Sequence, residues 1–181
     1  MNKIFFGFLF ALLTFNSQAE NKIKIIQNLN SINNLSFDFE QDINGKIEIG
    51  KCSILYPKKI FCKYSINDKI LVSNGKSLAI KTRSSYYRYP LSKTPLNFIL
   101  DKNYLLKKID NLKEKIVNNS YIKFSIQENN NKIDIFFDIS SLDIIGWQTK
   151  DIYQNTATTL IYSVRKNQKI DYNLFKLPSQ N

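Results

Sequence analysis

The sequence has no histidine, and among its 181 residues there are only two cysteines, five glycines, four prolines and three arginines. Without histidine there is no Ser-His or Cys-His nucleophile, no imidazole base near neutral pH, and none of the commonest metal ligand. Two cysteines alone cannot complete a four-ligand zinc site, and Cys52 and Cys62 are not spaced as a C-x-x-C redox pair. No catalytic residue, metal or cofactor is therefore expected. The scarcity of glycine and proline, with no fixed-period repeat, excludes collagen-like and low-complexity classes and any flexible linker. Beyond residue 15 no apolar run approaches the ~20 residues that span a bilayer.

What is present is enough apolar material for a core, with 43% hydrophobic and 13% aromatic residues. The length suits one domain of ordinary size. The net charge of +11 comes from scattered lysines, with asparagine and isoleucine equally abundant. That pattern reads as the composition of an AT-rich genome, so no nucleic-acid partner is expected, while a mild attraction to anionic membrane surfaces stays open.

The first nineteen residues are set apart as a secretory signal peptide. Lys3 is a minimal basic start, residues 4–15 form an apolar run, and Ser17-Gln18-Ala19 is a small-x-small cleavage site before Glu20. No cysteine follows the site to carry acyl chains, so residues 20–181 are expected as one soluble periplasmic domain.

Within that domain, Ile25, Ile26, Leu29 and Ile32 recur at helical spacing and predict an amphipathic helix over 21–32. The period then changes to two. Leu35, Phe37 and Phe39 alternate with polar residues, and Asn44-Gly45 is a two-residue hairpin signal. Strands are expected at about 46–56, 60–66, 69–73, 77–82, 86–90, 113–118, 121–127, 132–138, 144–151, 157–165 and 170–176, an antiparallel meander. Further turns are expected at Pro57-Lys58-Lys59, Asn74-Gly75, Asn118-Asn119-Ser120 and Asn129-Asn130-Asn131. Thr94-Pro95 opens a short helix at 95–101, with another turn at 104–108.

The remaining constellations read as structure. Residues 45–51 match P-loop spacing, but they alternate as a strand and Cys52 stands where the Ser or Thr belongs. Gly50 is expected as a bulge, because the apolar parity changes from Ile47 and Ile49 to Cys52 and Ile54. If Tyr56 faces Ile60, Cys52 and Cys62 become diagonal neighbours, for which a structural disulfide and free buried thiols fit equally. Glu40 with Asp42, and Asp134 with Asp138, fall on the solvent face. Tyr86, Tyr87 and Tyr89 with Arg83 and Arg88 offer either core or a sugar or anion platform. A sheet of this size with few helices leaves apolar surface to be covered, and hence room for an apolar cavity.

An ordered series of short blocks resembles the LolA-like periplasmic carriers of outer-membrane lipoproteins. The blocks are Phe39-x-Gln41, the run from Gly50 to Pro57, Leu71-Val72-Ser73-Asn74-Gly75-Lys76-x-Leu78, and Tyr89-Pro90-Leu91-Ser92-x-Thr94-Pro95-Leu96. They continue with Gly146-Trp147, Asp151, Thr158 and Leu174-Phe175-x-Leu177-Pro178. The Tyr-Pro-Leu-Ser block is most similar to the alphaproteobacterial branch.

The resemblance implies a mainly β fold with a few α-helices, an unclosed antiparallel β-barrel (half-barrel) with an α-helical lid over a hydrophobic cavity. It implies a monomeric carrier that takes triacylated lipoproteins from an inner-membrane ABC transporter and passes them to an outer-membrane receptor lipoprotein. A LolA-fold protein that binds another lipid or senses lipoproteins is the alternative. Under the resemblance, strand parity assigns the acyl-chain cavity to Leu35, Phe37, Phe39, Ile54, Ile60, Cys62, Tyr64, Leu78 and Ile80, and the lid to Ile25, Leu29, Leu96, Phe98 and Ile99. The family's arginine before the proline fastens the lid by hydrogen bonds to lid backbone. Here Tyr56 stands at that latch position and can donate one hydrogen bond, not the several of a guanidinium.

Overall fold

The computed structural model describes residues 17–66, 68–128, 131–151 and 154–180. The apolar part of the signal segment therefore lies outside the described residues, as do Asn129 and Asn130 of the expected turn. The chain opens with α1 (Ser17–Ser31) and continues into β1 (Asn34–Ile43) and β2 (Lys46–Leu55), joined at Asn44-Gly45. Both turn residues have positive φ, 52° and 82°, as a type I′ hairpin requires. There follow β3 (Lys59–Tyr64), β4 (Ile70–Asn74), β5 (Ser77–Lys81) and β6 (Tyr86–Pro90). A 3-10 turn at Leu91–Lys93 leads to α2 (Leu96–Ile99) and α3 (Lys102–Asn111). The second half is β7 (Lys115–Val117), β8 (Tyr121–Glu128), β9 (Asn131–Asp138), β10 (Ile144–Lys150) and β11 (Thr156–Lys166).

These strands form one antiparallel sheet in the order β6-β5-β4-β3-β2-β1-β11-β10-β9-β8-β7, in which β6 and β7 are the edges among the described residues. The sheet is not closed into a barrel. Two meanders are joined through β1 and β11, so the segment between β6 and β7 must travel from one edge to the other. It does so across one face, burying Leu91, Ile99, Leu100, Leu105 and Ile109 in the same apolar cluster as Phe37, Ile54, Phe124 and Ile135. We call this the inner face.

Helix α1 lies antiparallel to α3 on that face. The Lys22 ammonium donates to the carbonyls of Asp110 (2.9 Å) and Leu112 (3.4 Å), and Lys102 donates to those of Asn30 (3.0 Å) and Ile32 (2.8 Å). Each helix thus supplies the cation that satisfies the orphan carbonyls at the other's C-terminus.

Four sequence expectations are corrected. Gly50 is not a bulge, since β1 and β2 pair without a shift from Asn34↔Leu55 to Ile43↔Lys46. Ile47 and Ile49 point outward and are exposed, and Gly50 points inward, where a Cβ would meet the Lys63 carbonyl oxygen at 2.3 Å and Phe39 at 2.8 Å. Ile54, not Tyr56, faces Ile60, because the turn holds three residues. Cys52 and Cys62 are consequently direct cross-strand partners and form a disulfide, with Cα atoms 4.1 Å apart. Asp134 is buried rather than solvated, with the Lys123 and Lys132 ammoniums both at 3.6 Å. Residues 170–176 are not a strand. Asp171 accepts a hydrogen bond from the Asn173 N–H and starts a 3-10 turn, Tyr172–Phe175, that lies against β3 and β4 on the outer face.

Candidate functional site

Strand register places seven of the nine predicted cavity residues on the inner face in two cross-strand rows, and the other two, Phe39 and Tyr64, on either side of Gly50 in a third. Ile80, Leu71, Cys62, Cys52 and Phe37 are successive partners, and so are Leu78, Ser73, Ile60, Ile54 and Leu35. The rows begin in open space and end in solid core. Leu35, Phe37 and Ile54, with Ile25, Leu29 and Ile99 above them, are fully buried and line neither of the two spaces described next. Phe39, Ile60, Cys62 and Tyr64 line a small void of about 40 Å³ together with Cys52, Leu96 and Trp147. Leu78 and Ile80 line a larger apolar cleft of about 370 Å³, again with Leu96. Phe98 packs on Tyr104 instead, with ring centroids 5.1 Å apart.

Several cleft residues escaped the sequence reading. Ile43, Leu71, Tyr87, Tyr89, Trp147 and Ala157 complete the apolar wall. Strand parity predicts Ile43 and Leu71 once the register is known. Trp147 belongs to β10 and reaches the site only through the β1–β11 pairing, which local periodicity does not reveal.

Gln41, like Leu71, Leu96 and Trp147, lines both spaces. Its amide donates to the Thr159 hydroxyl (2.9 Å) and accepts from the Tyr64 hydroxyl (3.3 Å). Burial, with the Glu48 carboxylate beside it, pushes the Tyr64 phenol far above its ordinary range, so it stays a neutral donor. The Lys69 ammonium pairs with Glu48 at 2.5 Å and lies 4.0 Å from the centre of the Tyr64 ring. The polar atoms of this seam thus pair with one another, and the rest of the cleft wall is mainly apolar, with Thr94, Thr149, Lys150 and Asp151 as its other polar members.

The Tyr56 hydroxyl does not make the hydrogen bond foreseen for it. It is buried, has no hydrogen-bond partner, and burial pushes its pKa well above the usual phenol range. The neighbouring residues hold the helices to the β2–β3 turn instead. The Lys58 N–H donates to the Leu100 carbonyl (2.8 Å), its ammonium pairs with Asp101 (3.2 Å), and the Tyr56 N–H donates to the Asn33 carbonyl (3.0 Å). Lys102, which caps α1, sits 5.9 Å from the Tyr56 ring centre.

Among the described residues no group of acidic residues or cysteines is placed to hold a metal ion, and no helix is long and apolar enough to cross a membrane. Charged side chains enter the cleft lining at Lys69, Lys150 and Asp151, beside a larger apolar wall. The cleft's chemistry is apolar sequestration, worth roughly 0.8 kcal/mol for each methylene withdrawn from water.

Residues 30–178 match the family model described as Outer membrane lipoprotein carrier protein LolA. Comparison with curated proteins finds no match. Among solved structures, the chain resembles an uncharacterised conserved protein from Thermus thermophilus, with a TM-score of 0.50, 8% identity, and coverage of 90% of this chain and 95% of that one. It also resembles a DUF1329 family protein from Desulfovibrio piger (TM-score 0.48, 8% identity, 88% and 96% covered). A LolA superfamily protein from Nitrosomonas europaea gives a TM-score of 0.43 at 6% identity, with 86% and 97% covered.

Proposed function

The chain belongs to the LolA family, and from that premise we propose that it is a periplasmic carrier that shields the acyl chains of lipoproteins between the two membranes. In this reading residues 1–19 direct export, and the chain works as a monomer without a cofactor. A triacylated lipoprotein is received from an inner-membrane ABC transporter and released to an outer-membrane receptor lipoprotein. Acyl chains enter at Leu78, Ile80, Leu71, Tyr87, Tyr89 and Leu96. Phe39, Ile60, Cys62 and Tyr64 extend the path inward, and α1, α2 and α3 act as the lid. The observation that carries the proposal is the apolar cleft of about 370 Å³ on the inner face of an unclosed sheet, in a chain whose residues 30–178 match the carrier family's model.

The size of the cleft sets a condition on loading. Taking a methylene as about the size of a water molecule, ~30 Å³, the cleft holds roughly twelve methylenes, or one acyl chain. Three chains of about fifteen methylenes need more than three times that volume. Loading a triacylated lipoprotein thus requires the helices to move off Leu35, Phe37 and Ile54 and open the buried part of the rows. The same arithmetic favours a second reading, a LolA-family carrier of a single-chain lipid.

Native intact-mass analysis of the protein, purified without detergent from its own compartment, separates the two. Co-purified triacylated lipoprotein supports the first reading and a bound single-chain lipid the second. Failure to bind either, when each is offered to the purified protein, contradicts both.

A further inference from the structure

We propose that the open sheet edge formed by β5, β6 and the 3-10 turn after them docks on an anionic phospholipid bilayer and presents the mouth of the apolar cleft to it. The inference deepens the carrier reading and rests on it for the identity of the cargo. Residues 69–100 contain six cations, Lys69, Lys76, Lys81, Arg83, Arg88 and Lys93, and no aspartate or glutamate, although the whole chain has 15 acidic residues. Two of the chain's three arginines lie in this stretch.

The fold places much of that charge on one rim. Lys69 is matched by Glu48 and Arg83 by Asp68. Among the described residues no carboxylate pairs with Lys76, Arg88 or Lys93, all of which are exposed. Arg88 donates to the neutral Ser77 hydroxyl at 3.1 Å, which leaves its charge uncompensated. Lys76 and Lys93 flank the same end of the edge, because the Leu91 N–H is bonded to the Lys76 carbonyl.

Between these cations stand Tyr86, Tyr87 and Tyr89 on the edge strand itself. Tyr87 is 53% exposed, and both it and Tyr89 also line the cleft. Tyrosines with a wet tip and an apolar body, among unpaired cations, suit the headgroup level of a bilayer. The free backbone groups of β6 set the depth. An open edge cannot enter hydrocarbon, so the edge rests among headgroups and the cleft beside it faces the acyl region.

The test uses the full mature chain, sedimented with vesicles of phosphatidylglycerol mixed into phosphatidylcholine, and with vesicles of phosphatidylcholine alone. Binding is expected to the first and not to the second, with release at ~1 M salt, where the Debye length is only ~3 Å. The variant K76E/R88E/K93E is expected to partition about a hundredfold less. The control K107E/K113E/K115E makes the same change in net charge on α3 and toward the β7 edge, and is expected to shift partitioning by less than about threefold. Binding of a fluorescent fatty acid, unchanged in both variants, verifies the fold and the cleft. Equal losses in the two variants, or equal binding to both vesicle types, would overturn the proposal. So would an absence of vesicle binding accompanied by edge-dependent binding of an acidic peptide such as polyglutamate. Loss of fatty-acid binding by the wild type with vesicle docking intact would overturn the cargo reading and leave the docking surface standing.

Discussion

Ala157 lies on β11 in the wall of the cleft, where an added side chain projects into empty space. Ala157→Leu adds three carbons and, at ~30 Å³ each, removes about a quarter of the 370 Å³ available. In the wild type, affinity for saturated fatty acids should rise with length by up to ~0.8 kcal/mol, or about fourfold, per methylene, and level off near twelve carbons when the cleft is full. The variant should level off about three carbons earlier. Its affinity for the twelve-carbon acid should fall by up to ~2.4 kcal/mol, about sixtyfold. Displacement of a fluorescent fatty acid across an even-numbered chain series measures both plateaus. An affinity that climbs steadily to eighteen carbons, equally in wild type and variant, would refute the assignment of the chain to this cleft.

Other consequences follow from single contacts. Tyr56→Phe removes a buried hydroxyl that has no partner, so it should stabilise the protein by about 1 kcal/mol in urea unfolding, whereas a destabilisation would reveal a hydrogen bond there. Replacing Cys52 and Cys62 together by alanine opens a cross-link of separation 10. It should cost about 2.5–3 kcal/mol in denaturant unfolding under oxidising conditions, and a cost under ~0.5 kcal/mol would contradict a constraining role. Gly50→Ala drives a Cβ to 2.3 Å from the Lys63 carbonyl oxygen and should cost at least about 3 kcal/mol or abolish folding, with full wild-type stability as the contrary result. The Glu114 carboxyl is raised above its ordinary pKa by burial, against the opposing charge of Lys22, and both its oxygens lack partners. The folded state therefore holds this proton to higher pH than the unfolded state, and the group's contribution to stability declines as pH rises between those two values. Glu114→Gln should be more stable than wild type at neutral pH and lose that advantage below the ordinary carboxylate range. A gain of equal size at every pH would remove the titration argument.

Local signals in the sequence located most elements because they act over a few residues. The Asn44-Gly45 turn, the alternation through Phe37 and Phe39, and the Thr94-Pro95 break all appear in the structure where the pattern puts them. Errors arose where the face of a strand, not its existence, was in question. Taking Ile47 and Ile49 as the apolar side of β2 implies a bulge at Gly50, yet on β2 the inner positions are Gly50, Cys52 and Ile54. Gly50 is small because Phe39 fills the space above it. The buried Asp134 is matched by Lys132, two residues away on its own strand, and by Lys123 of β8, which reaches it only through the β8–β9 register. The division of the inner face into cleft, void and packed core was illegible for the same reason. Leu35 and Leu78 stand in one cross-strand row, and only the path of α1 and α3 across the sheet decides which of them is covered.

The central claim is that an acyl chain lies in the cleft between β4–β6, α2 and β10–β11. The most direct test is photo-cross-linking with a triacylated lipopeptide bearing a diazirine near the end of one chain, followed by peptide mapping of the labelled protein. The account predicts labels on Leu71, Leu78, Leu96 and Trp147, competed away by unlabelled lipopeptide. Labels concentrated on the outer-face residues Ile47, Ile49, Leu160 and Tyr162, with none in the cleft, would contradict it.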